Sequence, residues 1–484
     1  MANATETHHD ERLGFHSLDR ETATTLTVDG RVPAWLSGSL VRNGPGSFAV
    51  GDDSVDHWFD GLAMLHRFTF GDGTVRYRNR FLRTDAYEAA QAGEFDGGFA
   101  TGEASLAARL WNLLFGETYD NTNIVVERFD DDYVALTETP RWVRVDPATL
   151  ETAGDVTYDG PAPSGQLSCA HLQYDPTRDV YVNFEVEFGR RNYYHVYSMR
   201  TPERRALLAS VEVDRPSYMH SFALTPNYVV LTEFPFDVDP LSFLTPGRRG
   251  TFIDNFEWRP EAGTTVHVVD RDGGGVVGHA TADAVFGFHH VNAFEDDGDV
   301  VFDLETLPDA DAVESLSLDA LRGGELNALA GRLDRYRVTD PEGITRVERT
   351  ERLSDGTGLP TVSPAVRLDD HRYVYAQGAD QPVTEWPSAV RKVDVETGAE
   401  VEFSDGNPCS EPTFVPRPDG DAEDDGVVLT VVLDRGAGRS ALVVLDGETL
   451  TEVARATVPH PIPFDFHGRF FPELQPETST PARD

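Results

Sequence analysis

The sequence predicts a large antiparallel all-β fold organised as one β-propeller, and three observations carry that reading. Short β-rich runs, among them 133–137, 180–184, 228–232, 300–304 and 441–445, recur from Gly30 onward between Gly, Asp, Asn and Pro turns. A phrase of strand, acidic turn, Thr-containing turn and strand returns at Asp146-Pro147-Ala148-Thr149-Leu150, Asp394-Val395-Glu396-Thr397-Gly398 and Asp446-Gly447-Glu448-Thr449-Leu450. This is a weak internal repeat of the blade-hairpin kind. Nothing resembling a linker divides the chain after Gly30, although 484 residues would ordinarily suggest several domains. The expected organisation is an acidic N-terminal extension at 1–29, a single propeller domain at 30–475 and a C-terminal tail at 476–484.

Charge excludes one large class of partner. The chain carries 83 Asp and Glu against 41 Lys and Arg, a formal net charge of −42, which repels phosphate backbones and argues against nucleic acid. The acids are dispersed along the whole chain and Lys392 is the only lysine. This pattern reads as a solvated, salt-adapted surface of haloarchaeal type rather than a docking face. No apolar run reaches the length of a spanning helix and the N-terminus lacks the pattern of a signal peptide, so the expected location is cytoplasmic.

Four histidines stand out by their surroundings: Ser168-Cys169-Ala170-His171, Tyr218-Met219-His220-Ser221, Phe288-His289-His290-Val291 and Phe464-Asp465-Phe466-His467-Gly468. They are separated by 49, 69 and 178 residues, and no pair has the i, i+4 spacing of a helical zinc motif. Only tertiary structure could bring them together. With just Cys169 and Cys409 in the chain, neither a disulfide framework nor a thiolate cage is available, which leaves imidazole as the metal ligand. Imidazole suits iron, zinc, copper and nickel. Four such ligands on an octahedral ion leave two positions free, a stoichiometry suited to oxygen activation. It differs from the two-His, one-carboxylate triad of many non-haem iron oxygenases.

These segments resemble those of the carotenoid cleavage oxygenases, and the likeness runs from about Gly30 to Gly468. Supporting stretches are Arg42-Asn43-Gly44-Pro45-Gly46, His57-Trp58-Phe59-Asp60-Gly61-Leu62-Ala63-Met64-Leu65-His66 and Arg80-Phe81-Leu82-Arg83-Thr84-Asp85-Ala86-Tyr87. The last two are especially similar to the animal branch of β-carotene oxygenases and retinoid isomerohydrolases. The resemblance implies a seven-bladed propeller with helical and loop insertions covering one face. It also implies one Fe(II) on the axis, held by His171, His220, His289 and His467, with O₂ as co-substrate. His289 is preferred to His290 because other members keep only the first histidine there. The remaining histidines, including His57 and His66, are expected to be structural.

The family also uses three glutamates that accept from the ligand histidines, fixing ring orientation and basicity. Two are matched, Glu138 and Glu411. At the third position this chain reads Gly358-Leu359-Pro360 in place of Glu, an apolar residue and Pro, so His289 is expected to lack its carboxylate and the site to hold iron more weakly. Water or Asp355 is the expected substitute. At His171 the family's following proline is replaced by Leu172.

The implied activity is dioxygenase cleavage of a C=C bond in a carotenoid or apocarotenoid to aldehydes, leaning toward central 15,15′ cleavage of β-carotene to retinal. A retinoid isomerohydrolase without O₂ consumption and a non-catalytic binding propeller are the alternatives.

One segment breaks the β pattern. Residues 103–116 have helical composition and place Leu106, Leu110, Trp111, Leu113 and Leu114 on one apolar face. The two readings are a core helix, or a surface helix dipping into lipid through Leu106, Leu110, Trp111 and Leu114, on the inner face of the membrane. If it contacts lipid, the double variant Trp111→Glu, Leu114→Glu should move protein from the membrane fraction to the supernatant. Unchanged partitioning assigns the helix to the core.

Overall fold

The structure is a computed structural model. It describes residues 11–475 apart from 96–97, 103–118, 245–250, 274, 324–330, 344–345, 380–382 and 384. The expected helix at 103–116, with its lipid-facing residues, therefore lies outside the described residues. No described helix is long and apolar enough to cross a membrane.

The fold is all-β, and its sheets are mostly built from strands consecutive in the chain. Val125–Phe129, Asp132–Leu136, Val143–Val145 and Thr152–Asp155 form one four-stranded sheet, and Ala223–Leu224, Tyr228–Glu233, Thr264–Asp270 and Gly275–Ala282 form another. Between these in sequence, Leu167–Ser168 and Gln173–Asp175 both pair with Val180–Glu187, which continues into Asn192–Thr201 and Arg204–Val213. A seven-stranded sheet runs from His290–Asp296 to Glu400–Ser404. Its fourth member, the 16-residue strand Arg346–Thr361, carries register shifts toward both neighbours.

Two sheets are completed by opposite ends of the chain. His467–Phe471 pairs antiparallel with Gly38–Ser47, and Thr27–Gly30 pairs antiparallel with Glu452–Thr457. Thr22–Thr25 adds a further strand against Thr74–Phe81, and Phe15, Leu18 and Leu26 are buried. The part of the expected extension that lies within 11–29 is thus woven into the sheets.

The repeated phrase has a physical origin. The Asp146 carboxylate accepts the Ala148 and Thr149 amides at 2.9 and 2.8 Å, Asp394 those of Glu396 and Thr397 at 3.0 and 3.2 Å, and Asp446 that of Thr449 at 2.9 Å. In each case the amide four residues on returns to the aspartate's carbonyl at 2.8 to 2.9 Å. That residue, Leu150, Gly398 or Leu450, takes a left-handed φ of 63°, 70° or 54°. Short acidic side chains that bond their own turn make such hairpin ends.

Burial falls off across each sheet. Every residue of Gly38–Ser47 is buried, and only Asp434 of Gly426–Asp434 is not, because these strands have other sheets packed on both faces. The edge strand Gly275–Ala282 has no buried residue. Runs such as 427–432, apolar but for the buried Thr430, mark the middle of a sheet, and largely exposed strands such as Glu400–Ser404 lie at its rim.

Asp60 anchors the loop that carries Phe99 and Ala100. It closes the short 3₁₀ turn Trp58–Asp60 and is fully buried. Its carboxyl accepts the Phe99 and Ala100 amides at 2.6 and 2.9 Å, and a side chain at Gly98 would collide with it. Burial pushes this carboxyl up to about 6, against the hydrogen bonds from Ala100, Thr101 and Phe99 that lower it. The folded chain therefore takes up a proton there before the unfolded chain does. The associated stabilisation is full below about pH 4 and is lost as pH rises through about 6. Urea titrations from pH 4 to 7 should show a stability loss smaller by about 2 to 3 kcal/mol in Asp60→Asn than in the native chain; parallel curves would refute this.

Candidate metal centre

Each of the four histidines enters the centre at or beside the start of a sheet's edge strand. His171 lies between Leu167–Ser168 and Gln173–Asp175, and His220 precedes Ala223–Leu224. His289 immediately precedes His290–Asp296, and His467 opens His467–Phe471. Strand ends are where the backbone ladder stops and a side chain can turn away from the pleat. The structure brings all four together: one ligand atom from each lies within 4.8 Å of the others, and all are buried. Ring centroids are separated by 4.4 Å for His171 and His467, 4.5 Å for His171 and His220, and 5.1 Å for His289 and His467.

Three of the rings are backed by carboxylates. His220 Nδ1 lies 2.5 Å from Glu138 Oε1, and the Tyr218 hydroxyl donates to the same carboxylate at 3.0 and 3.1 Å. His467 Nδ1 lies 2.8 Å from Glu411 Oε1, while the Gly468 amide donates to Oε2 at 2.8 Å. His289 Nδ1 lies 2.6 Å from Glu305 Oε2.

This last contact corrects the expectation of an unsupported His289. Gly358 brings no carboxylate, and Asp355 is exposed and pairs with Arg352 at 2.9 Å. The partner comes from the strand Asp299–Thr306 instead, which lies beside the strand that His289 immediately precedes. Nothing local in the sequence marks Glu305; only the hairpin register brings it opposite His289.

The other histidines named in the sequence have non-metal partners. His290 bonds Ser221 and Thr232, both at 2.8 Å. His57 Nε2 donates to the Val313 carbonyl at 2.8 Å, and His66 bonds the Tyr77 hydroxyl at 2.8 Å.

Protonation follows from this packing. Burial and the surrounding His467, His220 and His289 hold His171 well below the ordinary imidazole range. Burial brings His467 down to about 4 despite the opposing pull of Glu411. Burial would raise Glu411, but His467 and Arg42 outweigh it and hold that carboxyl at about 2. His171 and His467 are therefore neutral at neutral pH, each with one lone pair to offer. An Nδ1–H committed to a carboxylate leaves Nε2 as the free acceptor, turned away from the acid.

The donor set fits a metal ion. His289 Nε2 is buried without a hydrogen-bond partner. His171 Nε2 and His220 Nε2 stand 2.9 Å apart, close to the roughly 3.0 Å expected of two nitrogens at right angles around an ion with bonds of about 2.1 Å. Two facing lone pairs at that distance repel unless a cation or a shared proton lies between them.

His220, His289 and His467 form part of the wall of a cavity of about 900 Å³. The rest is largely aromatic, with Trp58, Phe59, Phe99, Phe184, Phe252, Phe288, Trp386 and Phe466 among its lining. Phe59 sits at their junction, with ring centroids 5.3, 5.6 and 6.1 Å from Phe99, Phe466 and Phe288. Apolar walls with a few convergent polar groups are the mark of a small-molecule site, and this one lies at the upper end of the usual volume range. Asp85, Asp120 and Arg141 supply polar lining.

An all-β chain that gathers four imidazoles, three of them backed by carboxylates and lining an aromatic cavity, has the donor set of a metal centre facing a pocket for an apolar small molecule. Comparison narrows this description: the family model of the retinal pigment epithelial membrane protein, RPE65, matches residues 15–472. The chain belongs to this family of carotenoid cleavage oxygenases. It is 33% identical to the carotenoid isomerooxygenase of Galleria mellonella, over 96% of this chain and 97% of that one. It is 32% identical to the β,β-carotene 15,15′-dioxygenase of Gallus gallus, over 92% of this chain and 95% of that one. Among solved structures, cobalt-substituted apocarotenoid oxygenase from Synechocystis superposes with a TM-score of 0.84 at 29% identity, covering 96% of this chain and 98% of that one. These relatives place the all-β architecture among the β-propellers.

Arg42 holds the His467 corner in place. Fully buried, it donates to both carboxylate oxygens of Asp465 at 2.6 and 2.8 Å and to the Glu411 and Phe466 carbonyls at 3.1 and 3.2 Å. Arg42→Leu should cost about 3 to 5 kcal/mol in urea unfolding, because it strands buried carboxylates. A loss under 1 kcal/mol would show that they are compensated elsewhere.

Proposed function

We propose that this protein is a non-haem Fe(II) dioxygenase that cleaves one C=C bond of a carotenoid or apocarotenoid into two carbonyl products. The observation that carries this reading is the cluster of His171, His220, His289 and His467 at the aromatic cavity. Fe(II) bound there would supply the chemistry needed to bring O₂ into reaction with an alkene. The balance is simple: the C=C bond and the O–O bond are lost, and each alkene carbon leaves with one oxygen as a carbonyl. The substrate's carbon skeleton neither gains nor loses a proton, so no side chain is required as acid or base.

The chain's own contribution is positioning. Neutral imidazoles leave a bound ion its full positive charge, and Glu138, Glu305 and Glu411 keep the rings turned inward. The aromatic walls exclude water and hold a rigid polyene so that one double bond stands at the centre. Central 15,15′ cleavage of β-carotene to retinal is the preferred position, supported by the likeness to the Gallus gallus enzyme. In this reading the propeller has seven blades, with the seven-stranded sheet counted as two blades divided within Arg346–Thr361.

The test is anaerobic loading with Fe(II), then incubation with β-carotene and apocarotenals under O₂ at high salt. One equivalent of O₂ should be consumed per alkene cleaved, and retinal should be the product from β-carotene. Alanine at any one of the four histidines should lower the rate at least about 100-fold. Product formed from a retinyl ester without O₂ consumption would instead establish an isomerohydrolase. Iron-loaded protein that yields no carbonyl from any polyene would overturn the reading.

A further inference from the structure

We propose that Glu305 is a positioning residue of the metal centre, delivered by a different strand from the one on which the family resemblance leads one to expect a third carboxylate. This rests on the metal-centre reading above and concerns how His289 is held. Two contacts join the same pair of residues: Glu305 Oε2 lies 2.6 Å from His289 Nδ1, and the Glu305 amide donates to the His289 carbonyl at 2.9 Å. Side chain and backbone are thus locked across one antiparallel hairpin, whose ladder continues directly through His290 opposite Leu304. A carboxylate so placed needs no other sheet to fix it.

The surroundings are built for this side chain. Glu305 is buried and lines the cavity beside His289. At Gly331, on the next strand of the sheet, a Cβ would stand 3.1 Å from the Glu305 Cγ and 2.7 Å from the Thr306 carbonyl oxygen, so the glycine leaves Glu305 its room. Opposite this arrangement, His289 Nε2 is the buried imidazole nitrogen of the cluster that has no hydrogen-bond partner. A ring clamped at Nδ1 and unpaired at Nε2 is presented to an ion. His66 and His460 are also bonded at Nδ1 and unpartnered at Nε2, so what singles out His289 is that its free nitrogen lies among those of three other histidines. By contrast, His290, the neighbour that points elsewhere, is satisfied at both nitrogens by Ser221 and Thr232.

The consequence is that Gly358 marks no defect in the site. Gly358 and Leu359 line the same cavity, and with the acid supplied by Glu305 that stretch of wall is left without a charged side chain.

The experiment uses the full chain, stripped of metal and reloaded anaerobically, with Fe(II) affinity read by chelator competition and the ligand field read by Co(II) absorption. Native protein should bind one ion per chain; if it does not, the metal-centre reading fails before Glu305 is tested. Given native binding, Glu305→Ala should lower affinity by about 10- to 100-fold and shift the Co(II) bands. Glu305→Gln, which retains an acceptor for Nδ1–H, should fall between the two. In a His289→Ala background, Glu305→Ala should produce no further loss, because the ring it orients is gone. Equal losses in both backgrounds, or unchanged affinity and Co(II) spectrum in the Ala and Gln variants, would overturn the proposal. Melting curves of the metal-free variants separate misfolding from a true loss of affinity.

Discussion

Four imidazoles crowded within a few ångströms of one another are the constraint on which the rest of the structure depends. Their inward nitrogens repel one another unless a cation or a shared proton lies between them, and the carboxylates behind His220, His289 and His467 hold three of the rings against that repulsion. Because the rings come from separate sheets, the sheets themselves must be fixed to a fraction of an ångström. The chain ends contribute to that rigidity: the strand that carries His467 is paired to Gly38–Ser47 near the N-terminus, and Thr27–Gly30 is paired to Glu452–Thr457 near the C-terminus. Arg42, in the middle of Gly38–Ser47, reaches across to Asp465 and the Glu411 carbonyl, so the same pairing that joins the ends also seats His467.

Much of this was legible in the sequence because it depends on local chemistry. The Asp-initiated turns at Asp146, Asp394 and Asp446 announce hairpins, since the aspartate bonds amides only two or three residues ahead. The four histidines were legible for a different reason, through distinctive neighbours and a known resemblance, and the structure places them together. Glu138 and Glu411 were legible in the same way. Glu305 was not, because its relation to His289 is a matter of strand register and no motif of residue types accompanies it. The segment 15–29 was missed because its strands are short and half-polar, and they are stabilised by partners drawn from distant parts of the chain.

Charge links the surface to the centre. A chain with about twice as many acids as bases places several of its arginines where they meet buried carboxylates: Arg42 with Asp465, Arg271 with Asp175, Arg335 with Asp303 and Arg205 with Glu185. Arginine suits these positions because its planar fork can meet both oxygens of a carboxylate, as it does at Asp465 and Asp303. Even the single lysine, Lys392, is buried against Asp424 at 2.6 Å.

Around the histidines the pattern changes. Glu138, Glu305 and Glu411 all turn carboxylates toward imidazole rings, and Arg42, which meets Asp465, lies 3.7 Å from Glu411 as well. Among the described residues Glu138 and Glu305 meet no arginine or lysine in an ion pair, in a setting where unpaired charge is costly. A divalent cation among the four imidazoles would supply most of the missing charge, and it would do so on the side of the rings where His289 Nε2 has no other partner. The acids behind the rings and the vacancy in hydrogen bonding before them therefore point to the same occupant by independent routes, one electrostatic and one geometric.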